Sequence, residues 1–190
     1  MKKYYIKILN MNKINAMKRI KKEYNYFLNP LTSIDNHISL PNKDNIFQWE
    51  HMLLGPKDTP YKNGWFYIYI SFPDDYPNSC PEFVFKTPIY HLNVNPIKSD
   101  KPGAPPLGHV FLSIFKSWKP EYKILDALIE LHCLLSKPDP DSPYGLDRVN
   151  EFRFNKELYE EKSKYFTKKY ASPFIKKNKN IFESWDFFYA

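Results

Sequence analysis

Trp65-Phe66-Tyr67-Ile68-Tyr69-Ile70-Ser71-Phe72 is the stretch on which the fold turns. Aromatic and β-branched residues fill it, and it holds neither glycine nor proline, so it reads as a strand. A strand with one wet face would alternate apolar with polar. Here odd and even positions are both apolar or aromatic, which predicts a central strand covered on both sides.

Working outward, three further strand-like runs occur at Asp35–Leu40, Phe47–Leu54 and Glu82–Lys86. Turn signals at Pro41-Asn42, Gly55-Pro56 and Lys62-Asn63-Gly64 separate them. Ahead of the strands, Ala16, Ile20, Tyr24 and Phe27 recur at helical spacing, which predicts a helix over about Asn15–Leu28. Asn29-Pro30 ends it, since a residue before proline avoids the helical region. Residues 1–14 alternate only weakly and read as a basic, apolar extension, an arm outside the domain. A helix followed by a four-stranded meander argues an α+β fold.

Residues 88–120 lack a regular period and hold six of the 17 prolines, the mark of a long functional or disordered loop. Beyond them, Glu121–Ser136 carries Ile124, Leu125, Leu128, Ile129, Leu131, Leu134 and Leu135 and predicts a long buried helix. Lys137-Pro138-Asp139-Pro140-Asp141-Ser142-Pro143 stops it, and helices over about Leu146–Phe152 and Asn155–Tyr170 follow. The body of the domain therefore spans 15–172. The segment 173–190 is an aromatic tail with Phe174, Ile181, Phe182, Trp185, Phe187, Phe188 and Tyr189. A solvated tail rarely carries so much aromatic surface, so these residues, with Tyr4 and Tyr5 of the extension, are candidates for holding a partner.

The bulk composition sets bounds. The 190 residues suit one domain with appendages, and five Gly against 17 Pro make its loops stiff. A net charge of +7 could draw nucleic acid, anionic lipid or an acidic protein. No interleaved basic–aromatic motif supports nucleic acid, and a solvated basic surface explains the charge without it. Cys80 and Cys133 are far apart with no CxxC between them, so no metal or other cofactor is expected. One disulfide is conceivable, but the pattern fits a reduced intracellular protein. No apolar run is long enough for a transmembrane segment. Residues 1–22 hold eight Lys or Arg and no acid, which reads as an organelle-targeting bias or as a plain basic helix start.

Several short motifs then fall in order. Met17-Lys18-Arg19-Ile20-Lys21-Lys22-Glu23 is followed by Phe47-Gln48-Trp49, Leu54-Gly55-Pro56, Asp58-Thr59-Pro60-Tyr61 and Gly64. Next come Phe72-Pro73 with Asp75-Tyr76-Pro77, then Tyr90-His91-Leu92-Asn93, Trp118 with Pro120, and the proline-rich Pro138–Pro143. In this order and spacing the chain resembles the E2 ubiquitin-conjugating enzyme family over roughly residues 15–172. The resemblance implies a UBC fold: an N-terminal helix, a four-stranded antiparallel meander, a long central helix and two C-terminal helices.

The resemblance also implies a chemistry. A family member uses a cysteine thiolate to accept the ubiquitin C-terminus as a thioester, since sulfur is nucleophilic at neutral pH and leaves readily. An asparagine amide steadies the oxyanion, and an acid or hydroxyl near the hinge tunes the incoming amine. Asn93 falls at the second role and Ser142 at the third. Aligning Gly108 and Leu112 with the family's Gly-x-x-Cys-Leu pattern puts Phe111 at the first, where no lone pair exists for acyl transfer. With the thiol gone, His91 and Asn93 read chiefly as residues that hold the loop. Substitute nucleophiles are poorly placed: Cys80 matches a proline of the signature turn, and Cys133 reads as a small core residue on the apolar face of the long helix. His109 and Ser113 lie close by, but an ester at Ser113 would lack a visible base.

Other departures agree. Leu92 replaces the motif proline, and an insertion of about ten residues, 97–107, reads as lying over the former catalytic groove. At the surface that meets RING-type ligases, Asn78 replaces an aromatic and Glu121 a small residue, which removes a hydrophobic anchor. Lys18 and Arg19 suit activating-enzyme binding or a solvated helix face equally. The expected function is therefore a non-catalytic pseudo-E2 serving as a structural or interaction subunit of a larger protein assembly, with a mitochondrial assembly placed ahead of a cytoplasmic one. A regulator that binds ubiquitin or an active E2, and an active enzyme with its nucleophile elsewhere, are the alternatives.

Overall fold

Among the described residues nine elements run α1 (Lys2–Leu28), β1 (His37–Ser39), β2 (Gln48–Leu54), β3 (Trp65–Ser71), β4 (Glu82–Phe85), α2 (Ser113–Lys116), α3 (Ile124–Ser136), α4 (Leu146–Phe154) and α5 (Lys156–Tyr170). The structure, a computed structural model, describes residues 2–29 and 37–171, with side chains over 11–29 and 38–171. The tail candidates from Phe174 to Tyr189 and the side chains of Tyr4 and Tyr5 lie outside the described residues.

The four strands form one antiparallel sheet in sequence order. Its register puts Trp49 opposite Ile70 and Ile70 opposite Phe83, and likewise Leu53 opposite Phe66. These buried rows meet Ala16 and Ile20 of α1 and Ile124, Ala127, Leu128 and Leu131 of α3 in a single core. Each buried Leu, Ile or Phe side chain among them contributes roughly 1.5–3 kcal/mol relative to exposure.

β3 is central, but only one of its faces is closed. Phe66, Ile68 and Ile70 are fully buried, whereas Trp65, Tyr67 and Tyr69 are half-buried. The outer-face residues are amphipathic aromatics, which fill a strand position while keeping a polar tip near water. This corrects the expectation of two covered faces.

Two further corrections concern helices. Residues 1–14 are not a separate arm, because α1 runs unbroken from Lys2 with no glycine or proline to stop it. In α3, Ile129 is 52% exposed and Cys133 is exposed too, not packed in the core. They lie four residues apart, on the side away from the stripe of Ile124, Leu128, Leu131 and Leu135.

α3 starts at Ile124 because two carboxylates cap it. The Lys123 N–H donates to Asp126 Oδ2 at 2.8 Å, and the Ile124 N–H donates to Glu23 Oε2 at 2.7 Å. Glu23, buried on α1, also accepts from Tyr76 Oη at 2.8 Å and from Arg19 Nε. Arg19 Nη2 donates to the Tyr122 carbonyl at 2.8 Å. Arg19 thus belongs to a network joining α1, the turn at Tyr76 and α3, while Lys18 is the solvated member of the pair.

At the far end, Asn155 caps α5 by accepting from the Leu158 N–H at 3.2 Å. The Trp65 N–H donates to the Ala171 carbonyl at 2.7 Å, and α5 lies so close that a Cβ on Gly64 would sit 2.7 Å from Thr167 Cγ2. The Tyr61, Tyr159 and Ser163 hydroxyls form a buried cluster that holds the Tyr90 carbonyl. α5 thereby fixes the segment that leads into the candidate site.

Candidate functional site

The segment Gly108–Phe111 leaves a turn and is tied on both sides. Toward β4, the Phe85 N–H donates to the Gly108 carbonyl at 2.8 Å and the Val110 N–H to the Phe83 carbonyl at 3.0 Å. Toward the loop before it, the Asn95 N–H donates to the His109 carbonyl at 2.8 Å and the Phe111 N–H to the Asn93 carbonyl at 3.3 Å. Gly108 permits this, with φ at +81° and a would-be Cβ 2.1 Å from the Phe85 carbonyl oxygen.

The structure brings His91, Asn93, Phe111 and Ser142 together. Asn93 is fully buried. Its Nδ2 donates to the carbonyls of Asp139 at 2.7 Å and Ser142 at 2.9 Å, and its Oδ1 accepts from the Asp139 N–H at 2.9 Å. Both amide protons are thereby occupied by carbonyls of the 139–142 loop. His91 Nδ1 accepts from the Asn93 N–H at 3.0 Å, which leaves Nε2 to donate to the Leu134 carbonyl at 3.1 Å. Burial lowers its pKa to about 3, with the Leu134 contact opposing and Arg148 assisting, so the ring is neutral.

The Phe111 ring is half-buried, and the Lys116 ammonium of α2 lies 5.0 Å above it. Lys116 Nζ also donates to Ser142 Oγ at 3.0 Å. Sequence reading missed both α2 and Lys116, because a four-residue helix inside an aperiodic loop leaves no period to find. It also missed Tyr144, whose hydroxyl meets His109 Nδ1 while its N–H donates to the Leu92 carbonyl at 2.7 Å. Burial lowers the His109 pKa against the pull of Glu82, and raises the Tyr144 phenol to about 12.

Among the alternative nucleophiles, Cys80 is half-buried and its thiol pKa is raised, chiefly by burial. Ser113 differs from expectation, since its Oγ donates to Glu130 Oε1 at 2.6 Å. The same carboxylate accepts the Ile114 N–H at 3.1 Å, so it caps α2 as it holds the hydroxyl. No group of three or more His, Cys, Asp or Glu suited to a metal exists among the described residues. No helix among them is long and apolar enough to cross a membrane.

The insertion lies elsewhere than expected. Asn95 pins its neck: Nδ2 donates to the carbonyls of Ile97, Pro105 and Pro106 at 2.9–3.1 Å, and Oδ1 accepts from the Ile97 N–H at 3.1 Å. From that neck Lys98, Ser99, Asp100, Pro106 and Leu107 wall a cleft of about 620 Å³ against Glu50, Tyr67, Tyr69 and Lys86 on the sheet's outer face. The insertion therefore borders the sheet and not the groove at Phe111. Neither sequence spacing nor composition reveals this, because Asn95 sets the direction of the loop through contacts ten residues ahead. Asn78, Pro120 and Glu121 are all exposed.

Comparisons with known proteins agree with this geometry. The family described as ubiquitin-conjugating enzyme matches residues 19–167. "Probable ubiquitin-conjugating enzyme E2 31" of Arabidopsis thaliana is 36% identical over 132 residues, covering 69% of this chain and 79% of that protein. "Ubiquitin conjugating enzyme E2 B" of Dictyostelium discoideum is 32% identical over 157 residues, covering 82% and 98%. A crystal structure from Plasmodium yoelii assigned to ubiquitin conjugating enzymes superposes with a TM-score of 0.68 at 28% identity, over 83% of this chain and 96% of that one. With its helix–meander–helix order, its 91–93 segment and its hinge in place, the chain belongs to the ubiquitin-conjugating enzyme family.

Proposed function

We propose that this chain is a non-catalytic member of its family, a pseudo-E2 that acts as a structural or interaction subunit of a larger protein assembly. One observation carries the reading: Phe111 stands where Gly108 and Leu112 frame the family's cysteine, and a benzyl side chain can neither attack a carbonyl nor leave it. The surrounding contacts support it. The Asn93 amide is spent on the 139–142 loop, and Lys116 sits between the Phe111 ring and Ser142 Oγ. What remains is a well-held body to which we assign docking elements in the N-terminal turns of α1, in the insertion 97–107 and in the segment 173–190. The basic, acid-free start favours a mitochondrial assembly.

The named relatives are ubiquitin-conjugating enzymes, so the test is a charging assay. The full chain is incubated with activating enzyme, ATP and ubiquitin and resolved without reductant. No adduct is expected. A reductant-sensitive adduct that disappears in Cys80→Ser or Cys133→Ser overturns the reading. The family body is retained through both C-terminal helices, which favours a second reading as a regulator that binds ubiquitin or an active E2. Exchangeable binding of either partner supports the regulator, and stoichiometric co-purification with one large complex supports the subunit.

A further inference from the structure

α1 is tied to the rest of the chain at Lys13, whose Nζ pairs with Asp74 at 2.9 Å and lies 5.4 Å above the Phe47 ring. Ala16, Ile20 and Glu23 then follow on the buried side. At 1.5 Å per residue, the helical residues before Lys13 extend the rod by about 16 Å.

The opposite side of the same helix combines apolar and cationic groups. At 100° per residue, Met11, Ile14, Lys18, Lys21 and Lys22 fall within one third of the circumference, facing away from Ala16, Ile20 and Glu23. Met11 is 58% and Ile14 48% exposed, and the three lysines are exposed. No aspartate or glutamate precedes Glu23, and Glu23 is turned inward and saturated by Arg19, Tyr76 and the Ile124 N–H. The face therefore carries one sign of charge beside exposed apolar side chains.

We propose that this outward face of α1 is an interfacial helix that lies on an anionic lipid surface. Low mean hydropathy, lysine as the cation and a few apolar residues in register with it are the properties of a helix that rests in the headgroup region without spanning the membrane. A flat anionic bilayer satisfies every lysine at once and needs no complementary groove. An acidic protein would need its own apolar pockets at the spacing of Met11 and Ile14.

The experiment is sedimentation of the full chain with vesicles of phosphatidylcholine, with and without phosphatidylserine, at low and high salt. Binding is expected only with phosphatidylserine and is expected to fall with salt. Lys18→Gln with Lys21→Gln is expected to weaken it roughly 25-fold, about fivefold per charge. Met11→Ser with Ile14→Ser is expected to weaken it about tenfold. All four side chains are exposed, so circular dichroism and melting should match the parent chain. The inference is overturned by equal binding to neutral vesicles, or by binding that ignores both double variants. Retention on polyglutamate with no vesicle binding assigns the face to an acidic polypeptide and also overturns it. The outcome is independent of the charging assay, which reads a thioester.

Discussion

Asn93 and Asp139 are joined by hydrogen bonds in both directions: Nδ2 donates to the Asp139 carbonyl at 2.7 Å, and the Asp139 N–H donates to Oδ1 at 2.9 Å. This reciprocal pair makes Asn93 the clasp of the proline-rich hinge. Asn93→Ala strands one buried N–H and two carbonyls, each costly to leave unpaired, so a loss of about 3 kcal/mol is expected in urea unfolding. A loss under about 0.5 kcal/mol, the size of a bystander surface change, removes the clasp role.

His91 makes the fold acid-sensitive. Its folded pKa of about 3 lies below the ordinary 6.5, mainly through burial. The neutral form is the one the fold binds, so the contribution is complete above pH 6.5. It is lost as pH falls from 6.5 toward 3, at about 1.4 kcal/mol per unit. Urea midpoints at several pH values should fall more steeply for the parent chain than for His91→Gln, by close to one proton. Parallel slopes would contradict the assignment.

Gly103 and Gly108 separate backbone strain from collision. Both adopt positive φ, at +78° and +81°, but a Cβ on Gly103 meets nothing within 4 Å while one on Gly108 strikes the Phe85 carbonyl. Gly103→Ala should cost about 1 kcal/mol. Gly108→Ala should cost more than about 3 kcal/mol, because the strand contact itself must open. Thermal melts of the two variants check the difference in one experiment.

Asn95 holds the insertion closed by four side-chain hydrogen bonds. Asn95→Ala should leave the core folded while speeding tryptic cleavage after Lys98 by about tenfold, the effect of a local stability loss near 1.4 kcal/mol. Unchanged cleavage means that the loop is held by its contacts with the sheet face.

Much of this was legible before any coordinates. The strands around Trp65–Ser71, the stripe on α1 and both C-terminal helices were set by local periodicity, which depends only on neighbours in the chain. That His91, Asn93, Phe111 and Ser142 meet was implied by the family resemblance, which rests on short motifs read in order. The side of α3 on which Cys133 falls was misjudged, because a run rich in leucine blurs which third of the helix faces the core.

By itself the sequence determined the central strands, the long helix α3 and the two C-terminal helices, since these follow from residue types at short range. Only the tertiary structure decided that the Asn93 amide is spent on Asp139 and Ser142, that Glu23 caps a helix 101 residues away, and that the insertion turns toward the sheet. Those facts are hydrogen bonds between distant segments, and a buried polar atom takes whichever partner the packed chain brings within reach.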